Sequence, residues 1–423
     1  MEACEAGVIV VGTGPAGIGA ASSAAEVGAQ VLIVDDNFGT GGQIWRGQTA
    51  ETNIWVRRLR GSGIEMLPGA QVIAADRAAR TLLVETPTDA LQLRFEKLVL
   101  ATGARELFLP FPGWTLPGVM GVGGLQALVK SGLPIGGKRI VVAGSGPLLL
   151  AVAAYLRKSA ARVILIAEQA RRSALAGFMA GLAAHPAKLV RAAALQCSLA
   201  GVSYRFGCWI ERAEGEAHIE SVWIRQGNRT WTEKCDFAAV AYGLYPNVEL
   251  ASLLGCAMRA HAVIVNERQE SSINGIFAAG ECTGIGGVDL ALVEGQIAGY
   301  AAADREDRAR DLFRKRRSAR RFAEALNRAF ALRPELKSLV KPETFVCRCE
   351  DVSFARLQEH KSFRAAKLHT RCGMGSCQGR ICGPATRFLF GWEEESIRPP
   401  IFPASVRSLI GRDSMEEEEL PAK

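Results

Sequence analysis

The residues with the most specific chemistry in this chain are five of its eleven cysteines, which lie close together near the C-terminal end. The five are Cys347, Cys349, Cys372, Cys377 and Cys382. Thiolates are soft ligands that select zinc or iron–sulfur centres, and four of them can hold a [2Fe–2S] cluster. The spacing therefore indicates a metal centre, which we interpret first as an iron–sulfur site.

Two alternatives to an iron–sulfur site stay open. Zinc sites usually use two C-x₂₋₄-C pairs, whereas a single residue separates Cys347 from Cys349, which is short for one tetrahedral zinc. Disulfides are disfavoured, because we expect no signal peptide and a cytoplasmic location in which thiols stay reduced. His360 and His369 flank the cysteines as candidate ligands of a Rieske-type centre, although four cysteines suffice without them.

The N-terminal segment has the pattern of a βαβ dinucleotide-binding unit. An apolar strand runs into G-x-G-x-x-G, a helix of small residues follows, and a second apolar strand ends at two acids. The glycines allow a tight turn and close approach of a pyrophosphate, while the acid about 20 positions later binds ribose hydroxyls. The residues predicted to bind the nucleotide here are Gly12, Gly14, Pro15, Ala16, Gly17, Asp35 and Asp36, with Asp35 the preferred ribose ligand.

A second βαβ pattern begins at Arg139. It contains Gly144-Ser-Gly146 and a following strand that ends at Glu168, but Leu149 stands where the third glycine is expected. One interpretation is an NAD(P)H site, and the other is a Rossmann domain kept for architecture or for another nucleotide. The sequence leaves these two open.

Length and charge limit the remaining classes of function. A chain of 423 residues suggests two or three domains, and no apolar run approaches the roughly 20 residues that span a bilayer. The formal charge is +8, and much of the basic excess lies in residues 305–321. An apolar stripe accompanies that charge and no nucleic-acid motif does, so we interpret the segment as a surface helix and predict no nucleic-acid partner.

Three further segments resemble the FAD-binding motifs of flavoproteins with two dinucleotide-binding domains. Residues 97–105 resemble their "ATG" segment, residues 274–281 resemble their second FAD motif with Glu281 where Asp is usual, and residues 39–43 resemble the loop that covers the isoalloxazine. The resemblance adds Gly42, Gln43, Ala101, Thr102, Gly103, Gly280 and Glu281 to the predicted FAD ligands.

The predicted fold class is α/β, with two Rossmann-like domains and a small C-terminal cysteine-rich domain. The predicted order is an FAD-binding domain (1–120), a second Rossmann domain (121–246), the return of the FAD domain (247–304), a basic helical linker (305–342), a [2Fe–2S] domain (343–390), and a C-terminal arm with an acidic tail (391–423).

The whole pattern resembles one family, the α subunits of heteromeric amino-acid and imino-acid dehydrogenases. These include opine oxidases, hydrogen cyanide synthase, and hydroxyproline or proline dehydrogenases, and the cysteine domain resembles the bacterioferritin-associated-ferredoxin type of [2Fe–2S] module. The segments that carry the resemblance are 101–106, 111–118, 144–150, 347–352 and 370–382.

This resemblance implies a division of labour within a hetero-oligomer. A β subunit similar to D-amino-acid oxidase would oxidise the substrate with its own flavin, and electrons would pass to this chain. An FMN at the subunit interface, a small ferredoxin-like subunit and a membrane association through partners are further features that the family suggests.

The resemblance also assigns roles to residues. It implies Cys347, Cys349, Cys377 and Cys382 as the cluster ligands, with Cys372 as a spare thiol. The spacing alone leaves open that Cys372 replaces Cys382 as the fourth ligand. It predicts no catalytic residue in this chain, because the cofactors carry the chemistry. The alternative function is a stand-alone NADH-dependent flavin and [2Fe–2S] reductase.

Overall fold

The computed structural model describes residues 4–61, 63–182, 186–393 and 397–410. Its strands are β1 Cys4–Val11, β2 Val31–Asp35, β3 Glu65–Pro68, β4 Gln71–Asp76, β5 Thr81–Glu85, β6 Ala90–Leu100, β7 Ala104–Glu106, β8 Val119–Gly121, β9 Arg139–Gly144, β10 Arg162–Glu168, β11 Ser203–Phe206, β12 Cys208–Glu214, β13 Ser221–Gln226, β14 Arg229–Lys234, β15 Phe237–Ala241, β16 Leu244–Pro246, β17 Met258–Arg259, β18 Ala262–Val263, β19 Ile276–Ala278, β20 Phe345–Cys347 and β21 Val352–Ser353. Its α-helices are α1 Pro15–Glu26, α2 Ile54–Arg60, α3 Val122–Lys130, α4 Pro147–Lys158, α5 Arg172–Leu182, α6 Pro186–Ser198, α7 Glu249–Leu253, α8 Val288–Ala302, α9 Arg310–Ala329, α10 Phe354–Gln358, α11 Phe363–Thr370, α12 Cys382–Phe390 and α13 Val406–Ile410.

These elements form two compact units. The first comprises the described residues within Met1–Arg105, Pro246–Ala323 and Ser396–Lys423, and the second those within Glu106–Tyr245 and Glu324–Glu395. The chain therefore leaves the first unit and returns to it, as expected for a second nucleotide-binding domain inserted into an FAD-binding one. The finer domain boundaries given above stay predictions.

The first unit is built on a sheet in the order β3-β2-β1-β6-β5-β4. β2, β1 and β6 are parallel, while the long strand β6 pairs along its other edge with β5 in its first half and with β19 in its second half. The five residues of β2 are all buried, as expected for a parallel strand covered on both faces.

In this unit, glycines allow helix α1 to pack closely against the first glycine loop and against helix α8. A Cβ at Gly17 in α1 would lie 1.8 Å from the carbonyl oxygen of Gly12, and a Cβ at Gly295 in α8 would lie 2.0 Å from that of Ala16. The backbone of helix α1 therefore contacts the backbone of the first glycine loop and that of α8. Side chains at Gly17 and Gly295 would prevent this close approach.

The second unit contains a parallel sheet in the order β11-β10-β9-β15-β8 and a three-stranded antiparallel sheet in the order β12-β13-β14. The first of these is the second Rossmann-like sheet, and the other adds the antiparallel layer. The unit also contains the cysteine-rich segment, in which β20, β21 and helices α10 to α12 surround a small core that includes Val346, Val352 and Leu357.

The C-terminal arm lies on the first unit. The backbone N–H of Ile401 donates to the carbonyl oxygen of Ile73 in β4 at 2.8 Å, and the N–H of Ser405 donates to the Glu85 carboxylate at 2.8 Å. The acidic run 416–419 lies outside the described residues. Among the helices of the described ranges, none is long and apolar enough to cross a bilayer.

The close packing of α1 against α8 generates a stability prediction. We expect Gly295→Ala to lower the free energy of unfolding by about 1–3 kcal/mol, because the added methyl group meets backbone and not a movable side chain. Chemical denaturation followed by circular dichroism measures the change. The matched control is Gly124→Ala in α3, where a Cβ meets nothing within 4 Å; equal losses at the two sites would contradict the prediction.

Candidate cofactor-binding sites

The first glycine loop is fixed by the acid that ends β2. The Asp35 carboxylate accepts hydrogen bonds from the backbone N–H and the hydroxyl of Thr13, and from the backbone N–H and side-chain amide of Asn37 at 2.7 and 3.0 Å. A carboxylate has about four acceptor sites, so these four donors occupy Asp35. These hydrogen bonds hold the first glycine loop against the C-terminal end of β2.

The neighbouring acid is placed differently. Asp36 is exposed and accepts a hydrogen bond from the Asn37 side-chain amide at 2.6 Å. The structure thus puts both predicted ribose ligands beside the glycine loop, with Asp36 the one that faces solvent. Their assignment as nucleotide ligands stays a prediction.

The other predicted FAD residues of the N-terminal half meet the same loop. The N–H of Gly41 donates to the carbonyl oxygen of Thr13 at 3.0 Å, so the segment that contains Gly42 and the exposed Gln43 lies against the turn. The N–H of Ala101 donates to the carbonyl oxygen of Val11 at 2.9 Å, which places the "ATG" segment at the same edge of the sheet.

The "ATG" segment is held by a residue that the sequence analysis did not single out as a ligand. Asn247 donates its backbone N–H to the carbonyl oxygen of Gly103 at 3.0 Å and its side-chain amide to that of Thr102 at 3.0 Å. The Thr102 hydroxyl donates in return to the carbonyl oxygen of Asn247 at 2.6 Å. The only sequence signal for Asn247 is its position at the predicted return to the FAD domain.

The second FAD motif runs through β19 and ends in a short 3₁₀ helix, Gly280–Thr283, beside Ala16 of α1. The Glu281 carboxylate accepts the N–H groups of Gly286 and Gly287, at 3.1 and 2.8 Å, in the turn that precedes α8. Burial raises the pKa of Glu281, and these two hydrogen bonds oppose the shift. The side chain of Glu281, which is longer than the usual Asp, therefore reaches the backbone of the turn that precedes α8.

A buried carboxylate from α8 also forms hydrogen bonds to the 3₁₀ helix of this motif. Glu294 in α8 accepts hydrogen bonds from the N–H of Gly280 at 3.2 Å and from the Thr283 hydroxyl at 3.0 Å, and it pairs with Arg320 of α9 at 2.7 Å. The Glu294 side chain is 2% exposed, and Arg320 is its ion-pair partner. The basic helix thus contributes to the FAD-binding motif, which its charge pattern did not reveal.

The second glycine loop is also hydrogen-bonded to the acid that ends the following strand, Glu168. Glu168 is fully buried and accepts the N–H groups of Gly146 and Ala170, both at 2.8 Å. Burial raises the pKa of Glu168 to about 7, and the hydrogen bonds partly offset this effect. Leu149, at the place of the third glycine, is fully buried in the core of α4 and the sheet.

The structure brings the cysteines together in one buried group and one adjoining pair. The sulfur atoms of Cys347, Cys372 and Cys382 all lie within 4.8 Å of one another and are buried. Cys349 is exposed and interacts with the half-buried Cys377. The ten cysteines from Cys197 to Cys382 are free thiols, so the disulfide alternative has no support among them.

The surroundings of this group suit thiolates. Hydrogen bonds from the thiols of Cys372 and Cys382 lower the pKa of Cys347, and the backbone N–H groups of Gly373 and Glu350 act in the same direction. Soft, partly buried sulfur donors supported by backbone N–H groups fit a zinc or iron–sulfur centre. Cys372, predicted to be a spare thiol, is therefore part of the group; the ligand set itself stays a prediction.

His360, His369 and Cys282 are the other candidate residues that the cofactor motifs bring into question. His360 and His369 stack on each other with ring centroids 5.4 Å apart, and neither is in the group of potential metal ligands found among the described residues. Cys282 is buried, with its thiol against the carbonyl oxygen of Leu100 at 3.3 Å, and burial raises the pKa of that thiol to about 12.

Two Rossmann-like sheets, each with a glycine loop and an acid at the end of the next strand, define an oxidoreductase of the two-dinucleotide-binding class. Comparisons with known proteins agree with this class. The family model described as pyridine nucleotide-disulphide oxidoreductase matches residues 6–304. The A subunit of opine oxidase from Rhizobium meliloti is 32% identical over 94% of this chain and 97% of its own length.

The chain belongs to the pyridine nucleotide-disulphide oxidoreductase family and, within it, to the group that contains the opine oxidase A subunits. Hydrogen cyanide synthase subunit HcnB from Pseudomonas protegens is 29% identical over 88% of the chain and 89% of that protein. The fold matches that of L-proline dehydrogenase from P. horikoshii with a TM-score of 0.69 and 19% identity, over 96% of this chain and 80% of that one. The predicted family and fold class are confirmed, and membership supports FAD in the first unit.

The pairing of Glu294 with Arg320 generates a prediction for the FAD-binding unit. We expect Arg320→Met to destabilise the protein by roughly 1–3 kcal/mol, because it leaves a buried carboxylate without its counter-charge. The loosened 280–283 turn should also release flavin more readily, which a fluorescence assay of released FAD would measure. The matched control is Arg308→Met, which removes an exposed pair with Glu26; such pairs contribute little.

Proposed function

We propose that this chain is the electron-transfer subunit of a multi-subunit amino-acid or imino-acid dehydrogenase of the opine, hydroxyproline, proline or glycine class. The observation that carries the proposal is the combination of an FAD-type first unit with a cysteine group held in the second unit. A flavin exchanges electrons singly or in pairs, and an iron–sulfur cluster supplies one-electron transfer when bound. Such a pair of cofactors serves to pass electrons on.

The relatives support a partner that oxidises the substrate. The A subunit of opine oxidase and the HcnB subunit of hydrogen cyanide synthase are named as parts of larger enzymes. We propose that a β subunit resembling D-amino-acid oxidase removes electrons from the C–N bond and delivers them to this chain, with FMN at the interface as an additional cofactor. A small ferredoxin-like subunit is a further proposed partner, and we assign the assembly to the cytoplasm.

We propose that Cys347, Cys349, Cys377 and Cys382 hold a [2Fe–2S] cluster. Cys347 and Cys382 belong to the small core of the cysteine-rich segment, and Cys349 interacts with Cys377. The backbone N–H groups near Cys347 stabilise its charged form. Cys372 lies in the same buried group, and the alternative ligand set has Cys372 in place of Cys382.

A reductive titration tests the proposed direction of electron flow. The protein, purified with its native partners, should lose its flavin absorbance on anaerobic addition of an opine, proline, hydroxyproline or glycine, and also on addition of dithionite. The chain purified alone should respond to dithionite and not to any of these amino acids. Rapid, stoichiometric reduction of the isolated chain by NADH would favour the stand-alone reductase.

Metal analysis of cysteine variants tests the ligand set. We expect iron and acid-labile sulfide in the wild-type protein, retained in Cys372→Ala and lost in Cys377→Ser, because only the latter removes a proposed ligand. Cys197→Ala, which changes an exposed thiol elsewhere in the second unit, is the control. Loss of iron in Cys372→Ala would place that cysteine in the ligand set, and stoichiometric zinc in place of iron would contradict the cluster.

A further inference from the structure

The position where a dinucleotide would bind in the second Rossmann-like sheet lies at the carboxyl ends of its strands, and we call it the second dinucleotide crevice. In open parallel sheets, ligands bind outside the carboxyl ends of the strands, beside the glycine loop and the acid of the next strand. Here β9 ends at Gly144 and β10 ends at Glu168, so Ser145 and Gln169 are the next residues at that edge. Both of these polar side chains are buried, with exposed fractions of 4% and 0%.

Their partners come from the chain itself, in the segment that follows α9. The Ser145 hydroxyl donates to the carbonyl oxygen of Phe330 at 2.9 Å. The Gln169 amide nitrogen donates to the Ser145 hydroxyl at 2.9 Å and to the carbonyl oxygen of Ala331 at 3.1 Å. The Gln169 carbonyl oxygen accepts the backbone N–H of Arg333 at 3.2 Å. The edge that would meet a nucleotide is thus hydrogen-bonded to backbone.

Side-chain contacts of Phe330, Leu332 and Arg333 also hold the segment that follows α9. The Phe330 ring meets Phe178 of α5 edge-on, with centroids 6.2 Å apart, and Leu332 packs on the core of this unit. The Arg333 guanidinium lies 4.9 Å from the centre of the Trp209 ring. These contacts are apolar or aromatic, so they hold the segment independently of the hydrogen bonds to Ser145 and Gln169.

The acid of this crevice is also closed to a ligand. Both Glu168 oxygens accept backbone N–H groups, from Gly146 and Ala170, and the side chain has no exposed surface. A ribose would have to displace one of these bonds to reach the carboxylate. Asp35, the corresponding acid of the first unit, is likewise buried and hydrogen-bonded, so the two units differ at the next residue. Asp36 is exposed beside its glycine loop, whereas Gln169 is buried and bonded to the segment after α9.

We propose that the segment Phe330–Arg333 is the resident occupant of the second dinucleotide crevice, held by Ser145 and Gln169, and that it excludes NADH and NADPH as electron donors. This inference rests on the proposed function, because it explains why reducing equivalents come from a partner flavoprotein. It makes Gln169 the residue that determines donor specificity, since its amide bonds to the segment through both its nitrogen and its oxygen.

The test combines nucleotide binding with hydrogen exchange in the full-length protein. NADH and NADPH are added at about 1 mM, the upper end of usual KM values, and binding is measured by equilibrium dialysis while flavin absorbance is followed. The variants are Gln169→Ala and the double variant Gln169→Ala with Phe330→Ala. Ser198→Ala, which removes an exposed hydrogen bond in α6, is the control.

We expect no nucleotide binding by the wild type or the control. In Gln169→Ala, the amides of residues 331–335 should exchange about tenfold faster, since one neutral hydrogen bond contributes about that factor. The variants should also gain measurable NADH binding. Unchanged exchange in both variants would overturn the inference, because Gln169 and Phe330 would then not hold the segment.

The remaining outcomes separate this inference from the proposed function. Faster exchange without nucleotide binding would mean that something other than the segment closes the crevice, which would overturn the inference and leave the proposed function intact. The same holds if the wild type binds NADH and its flavin stays oxidised. Binding of NADH by the wild type with rapid flavin reduction would overturn both.

Discussion

The constraint on which the first unit depends is the separation of α1 from its neighbours. Gly17 lets α1 touch the glycine loop, and Gly295 lets α8 touch α1, at distances where a single methyl group would meet a carbonyl oxygen. Because these contacts are backbone to backbone, they fix the position of the loop after β1 relative to the turn at Gly280. The predicted FAD residues, which are far apart in sequence, come to one edge of the sheet through these contacts.

Charged groups then complete this arrangement. Asp35 holds the first loop through Thr13, and Glu294 holds the second motif through Gly280 and Thr283. A buried carboxylate is costly unless it is paired and hydrogen-bonded, and Arg320 meets this requirement for Glu294. The basic helix α9 is therefore structural at Arg320, where its charge stabilises a buried carboxylate.

Much of this arrangement could be predicted from the sequence, because its signals are local. The βαβ pattern, the two glycine loops and the acids that end β2 and β10 depend on short-range periodicity and spacing. The bonds of Asn247 to Thr102 and of Arg320 to Glu294 could not be predicted, because each joins segments separated by many residues without a motif. The sequence could not decide between Cys372 and Cys382 for a related reason: spacing gives candidate ligands, whereas the packing of α11 and α12 decides which sulfurs converge.

The second glycine loop shows most clearly why a motif does not define a site. Its sequence is compatible with a nucleotide, and its backbone has the expected turn, with Gly146 preceding α4. What decides its chemistry is whether its polar groups have other partners. Ser145 and Gln169 are buried and bonded to the segment after α9, and Glu168 is bonded to backbone. Buried polar groups that are already satisfied gain little from exchanging one partner for another, so a nucleotide would have to displace both the hydrogen bonds and the packing of Phe330 and Leu332. The same fold can thus hold a dinucleotide in one unit and its own chain in the other.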